Sequence, residues 1–182
     1  MKRLLSLSAL ALLVVLALTG CKKHEVLPVR EGLPVKLNGL DYTVFITREL
    51  NIRDTEDRDY VQIPDPPPGT AYYGVFIQVC NDADSSPPRM PVNNFRIVDT
   101  QGNTFSPTPL RTGNIFAYVP HPLTAKKCLP VAGSIPTSAP TGGLLLLFRL
   151  PIATIENRPL DLEVDPPAVG IAPKKQRIEL DI

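Results

Sequence analysis

Ala71-Tyr72-Tyr73-Gly74-Val75-Phe76-Ile77-Gln78-Val79-Cys80-Asn81 is the stretch on which the fold turns. Tyr73, Val75, Ile77 and Val79 recur with a period of two, the spacing of one face of a β-strand. Phe76 sits on the opposite face. Apolar residues on both faces point to a central strand, covered on two sides.

Outward from this strand the same periodicity returns. Leu40, Tyr42, Val44 and Ile46 alternate with mostly polar neighbours, as on a strand with one buried face. Downstream, Asn81-Asp82-Ala83-Asp84-Ser85-Ser86-Pro87-Pro88 ends the central strand in turn-forming residues. Asn94 to Asp99 is a shorter strand, and Gln101-Gly102-Asn103 turns it into Thr104-Phe105-Ser106 as a hairpin. Gly142-Gly143 opens Leu144 to Leu150, an apolar run closed by Pro151 and far too short to span a bilayer. Burial on two sides within a sandwich accounts for it. Leu160, Leu162 and Val164 alternate with Asp161 and Glu163. Ile178, Leu180 and Ile182 repeat the pattern and predict an edge strand. About seven short strands separated by turn signals predict an all-β, antiparallel sandwich.

The connections are rich in proline. All 21 prolines follow residue 20, about 13% of that part against a usual ~5%. Few windows of a dozen residues lack Pro or Gly, which disfavours long helices. Arg48 to Asp59 mixes both charge signs and reads as a solvated loop. Pro64 to Gly69 cannot pair in a sheet and reads as an extended, polyproline-like loop. Pro107 to Pro140 carries seven prolines, with short strands expected near Ile115 to Val119 and Val131 to Ile135.

The first twenty-one residues have another character. Lys2 and Arg3 precede an apolar run from Leu4 to Leu18, and Leu18-Thr19-Gly20-Cys21 follows. A basic start, an apolar run and small residues at the exit describe a secretory signal. The ending resembles the lipobox of bacterial lipoproteins, which implies that Cys21 receives a diacylglycerol thioether and becomes the mature N-terminus. An uncleaved membrane anchor, slightly short for a bilayer, and an ordinary signal cut elsewhere are the alternatives. Residues 1–20 then form the signal and 21–37 the tether. Lys22 to Pro34 would reach at most ~45 Å, and Lys22 and Lys23 would each add ~1 kcal/mol against an anionic leaflet. Lys22 is not the Asp that resembles an inner-membrane retention signal.

Past residue 20, 17 basic side chains face 18 acidic ones. That balance argues against nucleic acid as a partner. With Cys21 lipidated, Cys80 and Cys128 remain as an even pair, free to join in an oxidising envelope. Neither belongs to a Cys-x-x-Cys motif that would suggest redox or zinc chemistry.

Leu40 to Ile46, Gly69 to Asn81, Asn94 to Pro107 with Asp99, Gly102 and Phe105, Gly143 to Pro151 preceded by Gly133-Ser134, and Pro159 to Val164 together resemble a secreted bacterial family. It is the telokin-like, immunoglobulin-type domain of unknown function, grouped with immunoprotective extracellular proteins. The resemblance spans roughly residues 38–165, the sandwich proper, and leaves 166–182 as a C-terminal segment. Trp is absent, so the antibody-type pattern of a Trp against a Cys pair does not apply. The chain departs from the family in Pro107 to Pro140 and in its C-terminal segment. What the resemblance implies is a fold and an extracytoplasmic address, with no catalytic residues.

Chemistry is sparse. His24 and His121 are the two histidines, and a Ser-His-Asp arrangement would depend on His121, between Pro120 and Pro122. No Gly-x-Ser-x-Gly elbow, phosphate-binding loop or cluster of copper ligands is present. Asp82-Ala83-Asp84-Ser85-Ser86 opens like a calcium loop, but Pro87 stands where the turn needs Gly and Asn93 where a bidentate Glu belongs. No cofactor is expected. The reading is a membrane-anchored envelope lipoprotein with a binding module for an envelope protein partner. The rivals are a hydrolase or metal-handling enzyme built on Asp82, Asp84 and His121, or a purely structural lipoprotein. The candidate partner loop is Pro66, Pro67 and Pro68 with Tyr72 and Tyr73, because proline-stiffened backbone loses little entropy on docking. The same prolines would also serve merely to stop a sheet edge from pairing.

Overall fold

The computed structural model describes residues 27–166 and 175–182. In chain order they form β1 (Val29–Arg30), β2 (Val35–Leu37), β3 (Leu40–Leu50), helix α1 (Thr55–Val61), β4 (Thr70–Asn81), β5 (Phe95–Val98), β6 (Thr104–Phe105), β7 (Lys127–Leu129), the short helix α2 (Ile135–Ser138), β8 (Leu144–Pro151), a 3₁₀ helix (Ile152–Asn157), β9 (Leu160–Val164) and β10 (Gln176–Leu180). The signal, Cys21 and the tether up to residue 26 lie outside the described residues.

The strands make two five-stranded sheets facing each other across one core, a β-sandwich-like fold. β4 organises the first. β3 runs along one of its edges, from Asp41 opposite Cys80 to Leu50 opposite Tyr72. Its other edge is shared end to end: β8 pairs with Thr70–Ile77 and β7 with Val79–Asn81. The second sheet has the order β1-β10-β9-β5-β6, and only β1 against β10 is parallel. The Asp99 turn delivers the expected hairpin, β5 against β6.

Alternation explains the core. Tyr73, Val75, Ile77 and Val79 of β4 and Leu144, Leu146, Phe148 and Leu150 of β8 meet Phe95, Ile97, Leu160, Leu162, Val164 and Ile178 from the facing sheet. Each fully buried aliphatic side chain contributes about 1.5–3 kcal/mol. The alternate residues Phe76, Leu145 and Leu147 face outward into a second, smaller core with Leu50, Tyr60, Val61 and Tyr72. Gly143 permits the junction, since a Cβ there would lie 2.8 Å from the Ile77 backbone nitrogen. No side chain other than hydrogen fits.

Several expectations need correction. The alternation of β3 breaks at a bulge between Val44 and Ile46, where Phe45 is the extra residue. The face flips there, so Ile46 is 38% exposed while Thr47 turns inward. Arg48 to Asp59 is not a solvated loop. β3 continues to Leu50, and Asp54 caps α1 by accepting from the backbone N–H groups of Glu56 (2.9 Å) and Asp57 (3.4 Å). Arg48 holds the buried Asp57 in a two-pronged ion pair, and Asp57 also accepts from the Asn51 N–H at 2.7 Å. The Arg48–Asp57 pair pins α1 so that Tyr60 and Val61 cover Phe76, while Arg53, Arg58 and Asp59 stay exposed.

Ile115 to Val119 and Val131 to Ile135 are not strands. Ala117 makes a lone parallel bridge to Leu145, and the prolines at 120 and 122 supply no N–H to extend it. Val131 to Ser134 is a turn leading into α2, and the strand of this region is β7. The C-terminal strand is not an edge. β10 lies between β9 and β1, because Ile178 is fully buried and the half-buried Val29 packs against the same core. Residues read as tether thus take part in the fold: Val29–Arg30 close one sheet, and Val35–Leu37 pair with β3, burying Val35 and Leu37.

Candidate functional site

Between Asp99 and Glu156 the chain contains no acidic residue, while it carries Arg111, Lys126, Lys127 and Arg149. This stretch includes the proline-rich connection, and the structure fixes it at many points. Cys80 and Cys128, opposite each other on β4 and β7, form a disulfide that closes a 48-residue separation. The bond lies within one sheet, at the β7 edge, and does not cross the core. The Asn114 side-chain amide donates to the Tyr60 carbonyl (2.8 Å) and its oxygen accepts from the Phe116 N–H (2.8 Å). The Tyr118 hydroxyl donates to the Val92 carbonyl (2.7 Å), and its ring stacks edge-on against Phe95. Burial, with Tyr42 close by, pushes the Tyr118 hydroxyl far above its usual pKa. It therefore stays a neutral hydrogen-bonding post.

These fixings leave four aliphatic side chains in water. Ile115, Val119, Val131 and Ile135 are 53–63% exposed, and all four line a groove of about 440 Å³. Leu129, Pro130, Pro136 and Leu144 form much of the rest, with His121 in the wall. The groove is a shallow, open depression, unlike the enclosed clefts that bury most of a small ligand. A cluster of large exposed aliphatics is the informative exception to ordinary surfaces, where such residues are scattered singly. The groove offers apolar contact and neutral hydrogen bonds. Ser134 and His121 both line it, and no hydrogen bond joins them among the described residues.

The sequence-derived candidates fall elsewhere. Pro67 and Pro68 are exposed and Pro66 half-buried, but Tyr72 and Tyr73 are only 5% and 4% exposed. Tyr72 belongs to the outer core and Tyr73 to the main one, because β4 is covered on both faces. Pro66 and Tyr72 do line one pocket of about 290 Å³, while Tyr73 is sealed in the main core and offers that loop no contact area. Asp84 pairs with the Lys126 ammonium at 2.9 Å, and the same ammonium donates to the Asp82 carbonyl at 2.7 Å. His121 stands in the groove wall with no hydrogen bond to either carboxylate among the described residues. No group of three or more His, Cys, Asp or Glu that would hold a metal occurs among the described residues, nor does a helix long and apolar enough to cross a membrane.

A second concentration of charge escaped the sequence reading. Glu163, read as the polar residue of an alternating strand, is 2% exposed. Its carboxylate accepts from Lys175 Nζ (2.5 Å), Arg96 Nε (2.7 Å) and Arg177 Nε (3.0 Å), and Arg96 reaches on to Asp165 at 2.7 Å. Burial raises the carboxyl pKa, but the bonds from Lys175, Arg96 and Arg177 outweigh it and hold it down at about 2. A carboxyl so far below neutrality is a poor general acid or base. The arrangement ties β5, β9 and β10 together. The groove, in contrast, leaves Ile115, Val119, Val131 and Ile135 exposed. No family model, no curated protein and no solved structure matches this chain.

Proposed function

We propose that the chain is a membrane-anchored bacterial envelope lipoprotein whose immunoglobulin-type sandwich is an interaction module rather than an enzyme. The groove ringed by Ile115, Val119, Val131 and Ile135 is the observation that carries the reading. The chain holds these aliphatics in water on a segment pinned by a disulfide and side-chain posts, so docking orders little that is not already ordered. Two facing, mostly antiparallel sheets support the immunoglobulin type. Leu18-Thr19-Gly20-Cys21 supports the anchor. In this reading residues 1–20 are removed, the lipid sits on Cys21, and seven residues separate it from β1, which begins at Val29. Seven residues reach at most about 25 Å, so the module works close to the bilayer.

Two measurements test this. Cys21→Ala should move the protein from the membrane fraction to the soluble or unprocessed pool, since two or three acyl chains hold far more firmly than one. Unchanged partitioning together with the absence of lipid mass would sink the anchor. A photo-crosslinking residue at position 135 in native membranes should yield discrete protein adducts, whereas the same residue at position 102, in the β5–β6 turn, should not. Equal adducts at both positions, or none at 135, would reject the interaction module.

A further inference from the structure

We infer that Asn38 is a self-modifying residue: the Asn38–Gly39 turn converts itself into aspartate or isoaspartate, with water as co-reactant and Arg89 promoting the step. The chain holds one Asn-Gly step. It forms the two-residue turn between β2 and β3, where Leu37 pairs with Leu40 and both turn residues take left-handed backbone, φ 54° and 72°. Both are exposed. Neither the Asn38 side-chain amide nor the Gly39 N–H makes a hydrogen bond among the described residues. Nucleophile and electrophile are thus neighbours in the chain, and neither is tied up elsewhere. Glycine adds no side chain to shield the attacking nitrogen.

Arg89 sets this turn apart from a bare Asn-Gly sequence. Its guanidinium donates from Nη1 to the Asn38 carbonyl at 3.0 Å, and a Cβ on Gly39 would fall inside it. That carbonyl belongs to the same peptide unit as the Gly39 nitrogen. When hydroxide takes the proton from this nitrogen, the negative charge spreads onto an oxygen against which a cation already stands. Arg89 is itself fixed, since its backbone N–H donates to the Leu123 carbonyl (3.0 Å) and its carbonyl accepts from the Leu123 N–H (2.8 Å). The Gly39 nitrogen then bonds to the Asn38 Cγ. The Cγ–Nδ2 bond breaks, and the leaving nitrogen takes a proton from water and departs as ammonia. Water opens the cyclic imide at either carbonyl, giving aspartate or isoaspartate at position 38. A neutral side chain becomes a carboxylate beside Arg89, which has no ion partner among the described residues. The change runs one way, so the charge on this turn records the age of the molecule.

The full-length protein, incubated in mildly alkaline buffer and followed by peptide mapping with mass spectrometry, tests the inference. The amide-to-acid mass change should accumulate at position 38, divided between an aspartyl and an isoaspartyl peptide. Arg89→Gln should slow it about tenfold, the worth of one charged hydrogen bond. Arg89→Lys, which keeps a cation, should fall between the two. In denaturing urea all three proteins should react at one rate, because the contact with Arg89 is gone. No acid at position 38 in the native wild type, or equal native rates for wild type and Arg89→Gln, overturns the inference. A rate difference that survives in urea also overturns it, since it would not come from the folded contact. A Lys variant as slow as the Gln variant would mean that the cation is not the agent, and the inference falls with it.

Discussion

The outer faces of the two sheets solve one problem in opposite ways. Leu50, Tyr72, Phe76, Leu145 and Leu147 make the outer face of the β3–β4–β8 sheet apolar, and the chain covers it with α1 and Phe116. Arg96, Glu163 and Arg177 make the outer face of the β5–β9–β10 sheet ionic, and cross-strand pairs cover the buried carboxylate with cations. The first solution draws its stability mainly from area removed from water, with the buried Arg48–Asp57 ion pair fastening the covering helix beside it. The second depends on a charge that acid can remove.

The largest effect expected from this contrast comes from Phe76→Ala. The Phe76 ring is fully buried and meets Tyr60 edge-on at 5.2 Å, so truncation should cost about 3–5 kcal/mol in urea denaturation. The deficit should be the same at pH 7 and pH 3. A cost below about 1 kcal/mol would mean that the helix-covered face does not act as a core.

Glu163→Gln should cost less, about 2 kcal/mol near neutrality, for weakened charged hydrogen bonds. Its deficit should depend on pH. The folded carboxyl holds its charge down to about 2, below the ordinary 4.5, so the unfolded chain takes up the proton first as pH falls. The stabilisation from Glu163 is complete above about pH 4.5 and is lost toward pH 2. The gap between wild type and Glu163→Gln should therefore narrow across that window. A gap that stays constant from pH 7 to pH 2.5 would show that the ionic face is not held by this charge.

Asp54→Ala is the smallest of the three. Loss of the α1 cap should cost about 1 kcal/mol, and hydrogen exchange should quicken in residues 55–61 while β9 stays protected. Uniform quickening would mean that the helix is not a separable cover over its sheet.

The same contrast marks what could be read from the residues. β4 and β8 were legible because two-sided burial leaves a plain sign, aliphatics at both odd and even positions. α1 was not, since only Asp57, Tyr60 and Val61 of its seven residues are buried, too few to trace a helical period. The cap signal of Asp54 was lost in a run of charges. The bulge at Phe45 left no residue-level trace, because an inserted residue among apolar ones keeps every local pattern plausible. The groove was missed for a related reason. Ile115 to Val119 and Val131 to Ile135 have strand-like composition, and composition does not distinguish an aliphatic that fills a core from one that rims a cavity. Glu163 fitted a solvent-facing alternation until three cations from other segments closed over it.

The parallel pairing of Val29 with Ile178 has a temporal consequence. A chain emerging N-terminus first, from a ribosome or an export pore, can lay β3 against β4 once Asn81 is out. β9 finds β5 already waiting, but its other edge stays open until residues 176–180 arrive. β1, made about 150 residues earlier, can settle only after that. Through this interval Leu160, Leu162 and Val164 sit on a strand with one bare edge, the form most prone to pair with another molecule. Completion of that sheet is thus timed by the last strand to appear, and a chain cut before residue 176 keeps the open edge for good.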